Sequence, residues 1–453
     1  MKSIYVIIIG LCVCVATSCN KYVDIAPPKN ELPSEKVFAS DKTSTAAVVA
    51  MYSNMMALNY QFAGMLVSFI GAMSADEFYY FSSFPAFDEF RNNAILPSGR
   101  FATSLWDEPY SFIYHANACI EGLQASTTLT EKVKNQLLGE AKFVRAFCNF
   151  YLVNMYGKVP LITGTDYKVN GVLPRTPVAD VYKAITDDLV DAVKLMQEDY
   201  PSAERIRPNK AAANALLARA YLYTEKWDLA EQTASKVIDD SKYHLLKDLN
   251  KVFLKNSEET IWQLQVVSPG RNTWEGNLLV AAPTPLYRLT PELRGAFEPG
   301  DLRYTSWVGV AVGTTTTNYY PFKYKVRVGA DVTEYSMVLR FAEQFLIRAE
   351  ARAQQNKLDD ARADLDTIRH RALLPSLPTN INKAALLLAV EQERRVELFS
   401  EWGHRWFDLK RTKRADAVLG PVKQGWKSTA VLFPVPATAL LTNTNLDQNE
   451  GYK

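Results

Sequence analysis

Apolar residues along most of this chain return every three or four positions, the spacing that gathers them on one face of a helix. In "LWDEPYSFIYHANACIEGL" the stripe is Trp106, Tyr110, Ile113 and Ile120. In "NQLLGEAKFVRAFCNFYLVNMYG" it is Leu137, Ala141, Val144, Cys148, Tyr151 and Met155, and Gly157 and Pro160 close the segment. "RTPVADVYKAITDDLVDAVKLM" opens with Thr176 as a predicted cap and Pro177 at the first helical position, then shows Val181, Ile185, Leu189 and Ala192. Two later stretches add small residues to the helical period. "KAAANALLARAYLYTEKWDLAEQTASKVI" carries Leu217, Ala218, Tyr221, Ala230, Ala234 and Val237, and "AEQFLIRAEARAQQNKLDDARADLDTIRHRA" carries Ala349, Ala361, Leu365 and Ile368. These offsets predict tetratricopeptide-like hairpins, in which small side chains let two helices approach and larger ones fill the groove. The second match is looser, with Arg352 at the aromatic position. The hairpins lie 131 residues apart (Ala230 to Ala361). A tandem array would place them about 34 apart, so an insertion divides the scaffold.

That insertion, roughly 255–335, loses the helical period. "SPGRNTWEGN" and "TSWVGVAVGTTTTNYYPF" are rich in Gly, Pro, Thr and aromatics and predict loops and short strands. A second aromatic cluster comes early, in "ADEFYYFSSFPAFDEF". The N-terminus has another pattern. Lys2 precedes an apolar run from Ile4 to Ala16, shorter than the about 20 residues of a membrane helix. It fits the hydrophobic region of a secretory signal, with Ala16, Thr17 and Ser18 before Cys19. Residues 20–36 turn polar and hold three prolines. The expected organisation is a signal over 1–18, a tether over 19–36 and a single domain over 37–453. Within that domain helices fill about 105–245 and 337–412.

Composition narrows the function. The chain has 453 residues, 48% hydrophobic and 22% charged, which fits a globular body with a large core. Its 51 basic and 49 acidic residues give +2, and loss of residues 1–18 would remove only Lys2, leaving +1. A nucleic-acid binder would show a basic excess. Cys119 and Cys148 fall on two helices joined near Ser126 to Thr130. They are about 10 residues out of register, roughly 15 Å along the axis and too far for a disulfide. Both are expected to be buried free thiols.

Signatures of catalysis are missing. The chain has no G-x-S-x-G, no Walker loop, no dinucleotide fingerprint and no HExxH. A single E-x-x-H, Glu401 to His404, is interrupted by Gly403 and has no second copy, so neither metal nor cofactor is expected. Glu393, Glu397 and Glu401, with Arg405, Asp408 and Arg411, are read as a structural ion network. Glu391–Arg395, Glu401–Arg405 and Asp408–Arg411 are its predicted pairs. The carboxylates Asp76, Glu77, Asp88 and Glu89 are of the type used in glycoside hydrolysis, but nothing in the sequence sets their separation. Ligand chemistry is sought instead in the aromatic loops. Rings there can stack on the C–H face of a sugar while polar neighbours take its hydroxyls. The candidates are Asp76, Glu77, Tyr79, Tyr80 and Phe81, then Arg271, Asn272 and Trp274, then Trp307, Tyr319 and Tyr320.

"ERRVELFSEWGHRWFDLKR" resembles the C-terminal signature of the RagB/SusD family of outer-membrane nutrient-binding lipoproteins. "CNKYVDIAP", "GEAKFVRAFCNFYLVNMYGKVPLI", "AAANALLARAYLY", "VLRFAEQFLIRAEARA" and "LFPVPATALLTNTNLDQNEGY" resemble further family segments, in the family's order. The resemblance implies a mainly α, SusD-like fold: a tetratricopeptide-like scaffold with a loop-rich ligand region. It also implies lipidation at Cys19, an outer-membrane location facing the cell surface, and a SusC-type TonB-dependent transporter as partner. The implied activity is oligosaccharide binding without catalysis. Alternatives are a peptide-binding protein of the same transport system, a secreted glycosidase, or a scaffold that uses only its repeats.

Overall fold

In the computed structural model, which describes residues 34–280 and 284–452, the predicted stripes become helices that pack one on the next. The signal-like segment and Cys19 lie outside the described residues. Helix α1 (Asp41–Met55) starts at Ser40, whose hydroxyl accepts the Thr43 amide. Helix α2 (Val67–Ser74) is buried along its whole length. Then follow α3 (Arg100–Ala125), α4 (Glu131–Tyr156), α5 (Val178–Leu195), α6 (Lys210–Tyr223) and α7 (Trp227–Ile238). After the insertion come α8 (Phe341–Gln354), α9 (Leu358–Arg371), α10 (Lys383–Glu397) and α11 (His404–Arg411). The Asn209 side chain caps α6 and that of Asn382 caps α10. At α5 the cap is Pro177 rather than Thr176, because the Thr176 amide donates to Val159 O at 2.8 Å and is held outside the helix.

From α3 to α10 the stack has no gap. Helix α7 packs directly on α8, across the 131-residue separation of the two hairpins. Their shared core is Ala218, Leu222, Ala230, Ala234, Ile347 and Ala351, all buried. Four of these six are alanines, which let the helix axes close up. The insertion therefore interrupts the sequence but not the array.

The insertion carries most of the short strands. Among the described residues β1 (Phe78–Tyr80), β2 (Thr260–Leu264), β3 (Tyr287–Leu289), β4 (Val308–Val312), β5 (Thr317–Pro321) and β6 (Ser336–Arg340) form three antiparallel pairs: β1 with β3, β2 with β6, and β4 with β5. The β2–β6 pair sets Thr260 opposite Arg340 and so ties the two ends of the insertion together, returning the chain to the stack where it left. The β1–β3 pair joins the early aromatic cluster to the insertion, with Tyr79 opposite Arg288 and Tyr80 opposite Tyr287.

One close approach fixes the C-terminal turn. A Cβ on Gly71 of α2 would lie 2.4 Å from the Gly403 Cα, and Gly403 itself has φ +70°. Glycine fits both demands, contact at the first and a left-handed backbone at the second. Cys119 and Cys148 are buried and free, and burial pushes the Cys119 thiol up to about 11.

Candidate functional site

A network of buried charges ties the insertion to the C-terminal helices. Glu397, at the end of α10, accepts from three guanidiniums: Arg340 at 2.5 Å, Arg303 at 3.1 Å, and Arg371. Burial alone would raise its carboxyl, but Arg371, Arg340 and Arg303 outweigh that and hold it well below the usual carboxylate range. Glu393 binds Arg303 at 2.6 Å, and Glu401 binds Lys323 at 2.6 Å and Arg340 at 2.9 Å. Burial pushes the Lys323 ammonium down to about 8 against the opposing pull of Glu401.

Two predicted pairs are wrong in their partners. Glu401 does not meet Arg405, and Glu391 does not meet Arg395. Arg405 and Arg395 instead converge on Asp76, at 2.9 and 2.5 Å, and Arg405 reaches Glu391 at 3.1 Å. The reason is that helix spacing ranks neighbours on one helix only. Asp76, buried 329 residues away in sequence from Arg405, needs compensation that solvent cannot supply. Asp408 and Arg411 do pair, at 2.8 Å, and Arg411 also grips Glu350 at 2.5 and 2.7 Å.

Asp76 and Glu77, expected as ligand contacts, are thus buried just ahead of β1. Burial and the neighbouring Asp76 push the Glu77 carboxyl up to about 8, and it accepts only a long bond from the Ser400 amide at 3.4 Å. The candidates in the insertion are also mostly internal. Trp274 is 7% exposed, and its indole N–H donates to Met56 O at 3.0 Å. Trp307 is fully buried, donates to Leu249 O at 3.0 Å, and has its ring face covered by the Lys323 ammonium at 4.7 Å. Asn272 is buried: its carbonyl accepts the Thr333 and Glu334 amides and its amide donates to Asp331 O. Tyr320 is buried, whereas Tyr319 is half-buried beneath the Arg294 guanidinium, 4.2 Å from its ring centre. Arg271 is half-buried and donates only to Gly270 O, at 3.4 Å. Loop composition suggested exposure here, but these side chains fasten the insertion to the helices.

One aromatic group does face solvent. Tyr79 and Tyr80 are half-buried, and Phe81 and Phe84 are each 45% exposed. Tyr80 lies 4.9 Å from Phe81 and 6.3 Å from Phe84, ring centre to ring centre. Beneath them Phe87 sits 5.1 Å from Tyr80 and 4.7 Å from Phe84, and Tyr287 sits 5.3 Å from Tyr80. The bed is rigid. The Phe81 amide donates to Leu286 O at 2.8 Å, and Asp88 accepts from the Ser83 hydroxyl at 2.6 Å and the Phe84 amide at 3.0 Å. Sequence reasoning missed Phe84. The available signal was Pro85 directly after it, which starts a short helix (Pro85–Arg91) and leaves Phe84 at its extended cap. It also missed Arg91 and Arg288, whose guanidiniums lie 5.4 Å from the Tyr79 ring and 5.9 Å from the Phe81 ring.

Among the described residues no cluster of His, Cys, Asp or Glu could hold a metal ion, and no helix is long and apolar enough to cross a membrane. His404 is buried, and burial together with nearby arginines pushes its imidazole well below its usual range.

Two family models match the chain: one described as starch-binding associating with outer membrane, over residues 21–222, and one described as SusD family, over residues 296–452. A SusD-like protein, P38, of Formosa agariphila is 25% identical over 97% of this chain and 96% of its own length. A SusD-like protein of Bacteroides ovatus is 25% identical over 90% of this chain and 82% of its own. Among solved structures, a SusD superfamily protein of Bacteroides vulgatus superposes with a TM-score of 0.82 at 21% identity, covering 91% of this chain and 99% of that one. A laminarin-binding SusD-like protein superposes with a TM-score of 0.77 at 25% identity, again over 91% and 99%. With matches to both ends of the chain and the same helical stack in its structural neighbours, this protein belongs to the SusD/RagB family.

Proposed function

We propose that this protein is an outer-membrane lipoprotein that binds oligosaccharide on the Tyr80–Phe81–Phe84 platform and delivers it to a SusC-type TonB-dependent transporter, without catalysing a reaction. The observation that carries the reading is the exposure of two phenyl rings, Phe81 and Phe84, on a braced aromatic bed. Phenylalanine is among the residues most often fully buried. A pyranose ring offers a complementary apolar face, and stacking supplies affinity that exchanged hydroxyl hydrogen bonds do not. The starch-binding description of the family model and the laminarin-binding neighbour support a glycan as the stacked ligand.

Replacing Phe81 and Phe84 together by alanine is expected to weaken oligosaccharide binding by about 2 kcal/mol, roughly 30-fold, with little change in melting temperature. Titration calorimetry with laminarin and starch oligosaccharides, alongside a melting curve, measures both. Undiminished binding by a folded double variant would place the ligand elsewhere.

The anchor in this proposal is Cys19, outside the described residues. Cys19→Ala is expected to leave a folded protein that no longer sediments with membranes, because several acyl chains hold stably where one does so only marginally. Metabolic labelling with a fatty acid provides the check, and a wild-type chain that takes up no label would refute the anchor.

A further inference from the structure

We infer that the glycan held at this platform is anionic, bearing uronate carboxylates or sulfate esters, and that Arg91 and Arg288 receive its charges. The inference rests on the platform being the glycan site. Two guanidiniums lie against rings of the aromatic group, and a third lies against the ring behind its floor. Arg91 lies 5.4 Å from the Tyr79 ring centre, Arg288 lies 5.9 Å from that of Phe81, and Arg100 lies 5.6 Å from that of Phe101. Phe101 in turn stacks on Phe87, the floor of the platform, at 5.5 Å and 5°. Arg91 and Arg100 are exposed and Arg288 is half-buried.

None of the three forms an ion pair among the described residues, and the Arg288 side chain makes only a long hydrogen bond there, to Pro285 O at 3.4 Å. Arg205, Arg271 and Arg294 also lack an ion pair among the described residues, so the contrast is with the buried network alone. Arg303, Arg340, Arg371, Arg405 and Arg411 each engage two or more carboxylates. The acids nearest in sequence are turned to other tasks: Asp88 holds the Ser83 hydroxyl and the Phe84 amide, and Glu89 accepts the Leu96 amide. The chain as a whole is almost neutral at +2, so an unpaired positive rim is not a by-product of basic composition.

A guanidinium laid against a ring keeps its planar fork of donors free at the edge. That fork matches a carboxylate or a sulfate, and charge-assisted bonds of this kind are about twice as strong as those to neutral hydroxyls. On a neutral glucan the two cations would meet only hydroxyls and water. Alternating stacked rings and charged edges suits a chain whose sugar faces are apolar and whose rims carry negative groups.

The test titrates the full chain with three probe classes, namely neutral laminarin oligosaccharides, oligouronates and sulfated galactan oligosaccharides, at low and high salt. The expected result is an affinity for one charged class about tenfold or more above laminarin, falling as salt rises. Preference between the two charged classes then identifies carboxylate or sulfate as the recognised group. In the double variant Arg91→Gln with Arg288→Gln, the ratio of charged to neutral affinity is expected to drop about tenfold and the salt dependence to flatten, with the melting curve unchanged. Equal or tighter binding of laminarin, insensitive to salt, would overturn the anionic assignment and leave the glycan platform standing. Failure of all three sugars, or capture of an acidic peptide in their place, would overturn the platform reading itself.

Discussion

Arg340→Met should destabilise the fold by about 4 kcal/mol at neutral pH, and by less in mild acid. Five buried carboxylates, Glu259, Asp301, Glu393, Glu397 and Glu401, surround four buried cations, Arg303, Lys323, Arg340 and Arg371, with Arg369 shared between Glu393 and Glu298 at the edge. Arg340 alone touches Glu259, Glu397 and Glu401. Methionine fills much of the same volume but carries no charge. Its introduction leaves five carboxylates facing three cations where water cannot screen them, and removes one of the guanidiniums that hold Glu397 ionised. The surplus acids then bind protons more tightly in the folded variant than in its unfolded chain. Where the folded state holds more protons, stability falls as pH rises. The deficit of the variant is therefore expected to widen from about pH 5 to pH 8, above the unfolded glutamate value of about 4.3. Urea unfolding of both proteins at the two pH values measures it. An unchanged midpoint at both pH values, with glycan binding lost, would make Arg340 a ligand residue instead.

Trp274→Ala should cost about 4 kcal/mol of stability, the usual range for deleting a buried tryptophan. The indole is enclosed and its N–H satisfies Met56 O just beyond α1. Truncation opens a cavity and orphans that carbonyl. It also loosens the short helix Trp274–Leu279, whose first turn the Thr273 hydroxyl caps through the Gly276 amide at 2.8 Å. Glycan binding should follow the folded fraction, whereas the Phe81 and Phe84 variants should lose binding while folded. Measuring affinity well below the unfolding transition separates the two behaviours. A Trp274→Ala protein with an undisturbed melting point and no binding would return this residue to the ligand surface.

The helices from α3 onward, the two repeat hairpins, the strand-bearing insertion and the free thiols Cys119 and Cys148 were legible in the sequence, whereas α1 and α2 were not. Each depends on spacing along one segment: a stripe at helical period, small residues at fixed offsets, a run of Gly, Pro and Thr. The pair Asp408–Arg411 was legible for the same reason, since both lie on one turn of one helix. The ordered family motifs carried the fold class through a chain with no catalytic signature.

What only the tertiary structure decided is which distant segments share a space. It set α7 on α8 through Ala234 and Ala351, so that an insertion in sequence is no break in the stack. It drew Asp76 away from the ligand surface to Arg395 and Arg405, because a buried carboxylate binds whichever cation packing brings within reach. It buried Trp274, Trp307 and Asn272 while leaving Phe84 in solvent, although their local sequences look alike in composition. Exposure and ion pairing are properties of what lies across the fold, and a residue's neighbours in the chain do not contain them.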